Sequence, residues 1–157
     1  MTSKADFNAD EWSTVVEAPV LAGMRVVAAG RGGTIRESLA MAKVYTEARR
    51  QQGESELLDA LASSPPAVDT QQARAGGDLA AVSTERLREA LRLVREKGSQ
   101  ADDEEYRRFV LAVAQAAAEA HKEGGFIGIG GKTISDEEQA ALDQIRSTLE
   151  AVPMTRD

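Results

Sequence analysis

The chain has 157 residues, 42% hydrophobic but only 4% aromatic, and its 26 acidic against 19 basic side chains leave a formal net charge of −7. The length suits one compact domain or two small halves sharing a core. The negative balance argues against a nucleic-acid backbone or an anionic membrane as the main partner, and the absence of cysteine excludes disulfides, thiolate metal sites and cysteine nucleophiles.

In chain order, the first helix has a clear start. Asn8 can cap it, Glu11 stands three residues on as the capping-box partner, and Phe7 and Trp12 occupy hydrophobic-staple positions. The helix is expected to run toward Ala29, with a kink or break at Pro19. Gly30 to Gly33 forms a turn. A second helix follows through Leu39, Ala42 and Tyr45 to Arg50, ended by Gly53, and a short helix carries Leu57, Leu58 and Leu61.

Residues 63–82 change character: Ser63-Ser64-Pro65-Pro66, Gln71-Gln72 and Gly76-Gly77 mark a linker. Beyond it, Ser83 or Thr84 caps a helix with Leu87, Leu91 and Val94 on one face, stopped by Gly98. Asp102 and Glu105 read as a capping pair for a helix from about Asp103 to Lys122, with Phe109, Val110, Val113 and Ala117 inward. A glycine-rich loop spans Gly124 to Thr133. Ser135 and Glu138 then open a last helix with Leu142, Ile145, Leu149 and Val152 at helical spacing, stopped by Pro153. The alanine-rich apolar content favours closely packed helices over sheets. The expected fold is therefore all-α: a compact helical bundle in a single domain, 1–157.

The two parts resemble each other. Arg31-Gly32-Gly33-Thr34-Ile35-Arg36-Glu37 and Gly130-Gly131-Lys132-Thr133-Ile134-Ser135-Asp136 share Gly-Gly, Thr-Ile and an acid opening a helix. Each follows a long helix rich in alanine and valine. Two explanations stay open: a true duplication, giving pseudo-repeated helix-turn-helix halves 7–62 and 83–153, or the ordinary composition of a helix start.

An alanine-rich helix, a glycine turn and Ile-Ser-Asp-Glu-Glu opening the next helix resemble the TerB-like (tellurite-resistance protein B-like) superfamily, in which Ala-Asp-Gly-x-Ile-x-x-x-Glu joins two helices. Ile134 matches that isoleucine and Glu138 the glutamate; Ile35 matches in the first half, where Leu39 replaces the glutamate. The aspartate before the glycine is missing from both turns. The resemblance implies an all-α bundle, a cytoplasmic setting, links to stress response and membrane-associated complexes, and an acidic cation site.

Several patterns suggest chemistry. Gly125-Phe126-Ile127-Gly128-Ile129-Gly130-Gly131-Lys132-Thr133 looks like a phosphate-binding loop, but its first glycine is one residue too early. A helix end precedes it instead of a buried strand, and Asp136, Glu137 and Glu138 would repel phosphate. Arg25 to Gly33 mimics a dinucleotide-binding turn, yet Ile35 stands where the third glycine belongs. The single histidine, His121, suits a helix C-terminus, and no serine sits in a nucleophile elbow.

Glu37 and Asp136 are the candidate metal ligands, as equivalent acids of the two halves; the simpler reading is that acids favour helix N-termini. Phe126, Ile127 and Ile129 are the candidate interaction residues, because exposed they would form an apolar contact patch; buried, they would be satellite core.

No apolar run is long enough to span a bilayer, and the start Met1-Thr2-Ser3-Lys4-Ala5-Asp6 lacks the apolar stretch of a signal peptide, so a cytoplasmic protein without direct membrane insertion is expected. The leading functional expectation is a non-enzymatic helical scaffold or protein-interaction module that needs no cofactor, with a protein partner or self-association. The alternative is a divalent-cation-responsive domain, and a weaker one is an enzyme with a carboxylate or phosphate-handling site.

Overall fold

The structure is a computed structural model, and it describes residues 2–30, 34–64, 78–120 and 134–154, with the side chains of residues 34–36 left aside. Among the described residues, a short 3-10 turn at Lys4–Asp6 is followed by six helices: α1 (Ala9–Ala29), α2 (Thr34–Arg50), α3 (Glu56–Ser63), α4 (Leu79–Lys97), α5 (Gln100–Glu119) and α6 (Asp136–Ala151). There is no strand among the described residues. The protein is an all-α bundle, and no described helix is long and apolar enough to cross a membrane.

Local chemistry sets the helix starts. Asn8 Oδ1 accepts from the Glu11 amide at 2.9 Å, and the Asn8 amide donates to Glu11 Oε2 at 2.8 Å, two otherwise orphaned donors satisfied reciprocally. Phe7 and Trp12 pack beside this box with ring centroids 5.8 Å apart. Ser135 and Glu138 make the same box at α6.

Two starts differ from the expected ones. α4 begins at Leu79 because Asp78 Oδ1 accepts from the Ala80 amide at 3.0 Å. Ser83 and Thr84 lie inside the helix and turn their hydroxyls back to the Ala80 carbonyl. α5 is capped by Ser99 with Asp102, one turn before the expected Asp102–Glu105 pair.

Packing centres on α1 and α5. α1 contacts α2, α4, α5 and α6, and α5 contacts every other helix. The two run parallel, since Tyr106 reaches Val15 while Val113 faces Gly23 one helical stretch later. The expected kink or break at Pro19 does not end the helix: α1 runs unbroken from Ala9 to Ala29. Proline has no N–H, so the Val15 carbonyl four residues earlier loses its helical donor. The Tyr106 hydroxyl supplies the replacement at 2.8 Å, with both residues fully buried. Further along, Gly23 lets α2 approach: a Cβ there would lie 2.3 Å from Met41 Sδ and 3.2 Å from Val113 Cγ1. Glycine in a helix interior costs about 1 kcal/mol against alanine, and here it opens the space in which the helices meet.

The stretches 7–62 and 83–153 share one core. α2 packs more against α5 than against α1, while α6 divides its contacts among α1, α4 and α5. Buried side chains from all six helices form one cluster.

Polar anchors hold the ends. Asp102 Oδ2 accepts from the Thr2 hydroxyl at 2.8 Å, the Ser99 amide at 3.0 Å and the Ser99 hydroxyl at 2.8 Å. On α5, buried Arg107 forms a fork on fully buried Asp103, with Nε–Oδ1 2.7 Å and Nη2–Oδ2 3.3 Å. The same guanidinium donates to the carbonyls of Leu149, Val152 and Pro153, closing the C-terminus of α6.

Two predictions follow from these contacts. Tyr106→Phe strands the Val15 carbonyl and is expected to cost about 1–3 kcal/mol. In a Pro19→Ala background the restored amide takes over, so the same change costs less; denaturant melts of the four-member cycle read the coupling, and strict additivity would refute the assignment. The Tyr45 hydroxyl, buried without a hydrogen-bond partner among the described residues, is the control: Tyr45→Phe is expected to stay within about 0.5 kcal/mol of the parent.

For Asp102, burial alone pushes the carboxyl pKa up, but hydrogen bonds from Ser99 and Thr2 outweigh it and hold the value below the ordinary aspartate range. A depressed folded pKa gives stability that is fully present above the unfolded value, about 3.9, and is lost as pH falls through the folded value. Asp102→Asn is therefore expected to melt lower than the parent at neutral pH, with the gap closing below about pH 4. Melting curves across acid pH test this; a gap that stays constant would contradict it.

Candidate functional site

α2 turns one stripe into the core and a second to its edge. Glu37, Met41 and Tyr45, at helical spacing, are buried. Ala40, Val44 and Ala48, the neighbouring stripe, are half-buried. Leu39 and Ala42 lie on α2 as expected, but both are exposed, Leu39 at 60%. The buried acid Glu37 is what the apolar pattern misses: the inner face of α2 includes a carboxylate.

Opposite α2, α5 points Val113, Ala114, Ala117 and Ala118 into the core and leaves Ala112 and Ala116 half-buried. Alanine has too little bulk to fill the space between two helix ridges, so a groove remains. Its head is a cavity of about 360 Å³ floored by Val44, Ala48, Leu58, Phe109 and Ala112. Its tail, about 810 Å³, shares Val44 and Glu47 and continues past Ala40 and Ala116 to Ala120, with Leu39 at the lip. Beneath the head, the Tyr45 and Phe109 rings meet edge to face, centroids 5.1 Å apart at 87°. Burial pushes the Tyr45 phenol pKa upward.

The rim is charged. Glu47, Glu54, Asp59, Glu105 and Glu119 line the two parts of the groove, against Lys43 and Arg108. Arg108 lies 3.0 Å from Glu105, and Glu47 lies 3.7 Å from Arg50 just outside. Asp59 accepts from the Gly53 amide at 3.0 Å, in the turn where Gly53 takes a φ of 104° and α2 gives way to α3.

The acids singled out from the sequence occupy unlike places. Glu37 is 1% exposed, whereas Asp136 sits exposed in the first turn of α6. The buried acid of α6 is Glu138, which closes the capping box and presses Oε1 against Gly30, where a Cβ would lie 2.2 Å away. Among the described residues no group of three or more histidine, cysteine, aspartate or glutamate side chains is placed to hold a metal ion. Phe126, Ile127 and Ile129, His121 and the phosphate-loop-like run from Gly125 to Thr133 lie outside the described residues.

Sequence reasoning missed the groove. The available signal was the pair of alanine-containing stripes, Ala40–Val44–Ala48 and Ala112–Ala116, beside an out-of-place Leu39. Which of several alanines line a groove depends on which helices become neighbours, and that is a tertiary fact.

Comparison with protein-family profiles, with curated proteins and with solved structures finds no match, so the TerB-like resemblance rests on the turn sequences around Ile35 and Ile134.

Proposed function

We propose that the protein is a non-enzymatic helical interaction module and that the α2–α5 groove is the face it offers a partner. The observation that carries this reading is an apolar groove left open on a bundle whose other large apolar side chains, among the described residues, are mostly buried, with exposed Leu39 at its lip. Open apolar surface of this kind marks contact sites.

Carboxylate catalysis fits the groove less well, because it asks for acids in a dry cleft. Here Glu47 and Glu105 stand on the rim with side chains 58% and 41% exposed. The cation-responsive alternative, built on Glu37 and Asp136, has one ligand buried and the other in solvent.

The test compares proteins that co-purify with the parent and with a Leu39→Ser/Ala112→Glu variant. Both sites are at least partly exposed, so the melting temperature is expected to change little. At least one bound protein is expected to fall about tenfold, the equivalent of ~1.4 kcal/mol. An unchanged set of bound proteins would overturn the proposal.

A further inference from the structure

We infer that the occupant of the groove is an amphipathic helix carrying lysine or arginine along both flanks of its apolar stripe; this rests on reading the groove as an interface. Three observations converge. The first is shape. The Ala40–Val44–Ala48 stripe spans nine residues of α2, roughly 12 Å over eight steps of 1.5 Å, and the groove runs on beyond both ends to Leu58 and Ala120. An alanine floor lets a third helix axis come within the 8–10 Å of ordinary helix packing. The head, floored by Phe109 and Leu58, takes a larger side chain. This matches helix-in-groove recognition, with anchors spaced i, i+3 or i+4, i+7.

The second is backbone chemistry. Apart from the short turn that brings Gln51, Glu54 and Ser55 to its head, the walls of the groove are helices, whose amides and carbonyls bond within their own segment. An extended peptide would find no strand edge there to pair with, so a partner strand would bring its own unsatisfied groups.

The third is charge. Five carboxylates face two bases around the rim, in a chain of net charge −7. A second copy of this chain would bring its own acidic rim to the same place, and like charges brought together at an interface are unfavourable. A nucleic-acid strand is repelled for the same reason. A helix flanked by cations gains on both rims and is steered to the groove from solution.

The probe is a synthetic helical peptide of about 18 residues, five turns, with leucine on one stripe and lysine elsewhere. A scrambled peptide of the same composition and a peptide with glutamate replacing every lysine are the controls. Titration followed by backbone amide shifts is expected to show saturable binding of the lysine peptide centred on Val44, Ala48, Ala112 and Ala116. Neither control is expected to bind there. Glu47→Lys/Glu105→Lys is expected to weaken the lysine peptide at least tenfold while leaving the melting curve close to the parent's. Added salt is expected to weaken it as well.

Equal binding by the scrambled peptide, or indifference to the double charge reversal, would overturn the inference. So would sedimentation showing self-association that Leu39→Ser abolishes, because the occupant would then be a second copy. If the glutamate peptide alone binds in the groove, the basic-partner inference falls while the interface reading stands. If no peptide binds and Leu39→Ser/Ala112→Glu keeps every co-purifying protein, both fall.

Discussion

The carbonyl of Val15 is an acceptor without a donor in its own helix, because residue 19 is proline. Buried as it is, it would cost about 1–3 kcal/mol if left alone. The Tyr106 hydroxyl satisfies it from the neighbouring helix. The phenol has no acceptor to spare either: it is fully buried, and burial, with the nearby Tyr45 adding to it, drives its pKa far above the ordinary value. Each group therefore needs the other, and the need can be met at only one register of α5 along α1. With that register set, Val113 comes opposite Gly23, and α2 can close over Gly23 through Met41. A helix defect thus becomes the contact that positions the two central helices.

The other polar contacts work at the ends of the helices. Arg107 is fixed on Asp103 within α5 and reaches the last carbonyls of α6. Breaking such a buried pair by removing one partner typically costs 3–5 kcal/mol, because the remaining charge is stranded. Asp102 ties the Ser99 corner between α4 and α5 to Thr2. Between these ends the core is apolar and rich in small side chains, with Ala18, Ala22, Ala90, Ala114 and Ala118 all buried. Small side chains allow close helix approach but specify register weakly, and that is where the Tyr106–Val15 bond and the end anchors contribute most.

Much of the fold was legible because its signals are local. The Asn8–Glu11 and Ser135–Glu138 boxes, the Phe7–Trp12 staple and the inward faces of α4, α5 and α6 depend on spacing within one helix, and they are realised, except that Val152 follows α6 as its half-buried C-cap. The misreadings have identifiable causes. At Pro19 a local rule predicts a defect, and a residue 87 positions away repairs it. At α4, three side chains compete to cap, and Asp78 prevails over Ser83 and Thr84 because their hydroxyls can bond back within the helix. On α2, the carboxylate of Glu37 takes a core position that an apolar pattern does not mark. The groove was least legible, since it is made of what two helices leave unfilled.

The acidic excess also divides into two populations with different duties. Asp102 and Glu138 are buried and held by amides or hydroxyls, and Asp103 is buried on Arg107. They close helix ends, and their charge is spent within the fold. Glu47 is exposed and Glu105 partly so, and their polar contacts are with near neighbours in sequence, Arg50 and Gln51 for Glu47 and Arg108 for Glu105. Exposed pairs of this kind contribute little to stability, commonly less than about 1 kcal/mol, so the bundle does not need them where they stand. Their field nevertheless adds along an apolar channel, where low-dielectric walls focus it. A net charge that first suggests solubility thus resolves into internal fastening at the helix ends and a net-negative rim, paired only with near neighbours in sequence, around the groove described between α2 and α5.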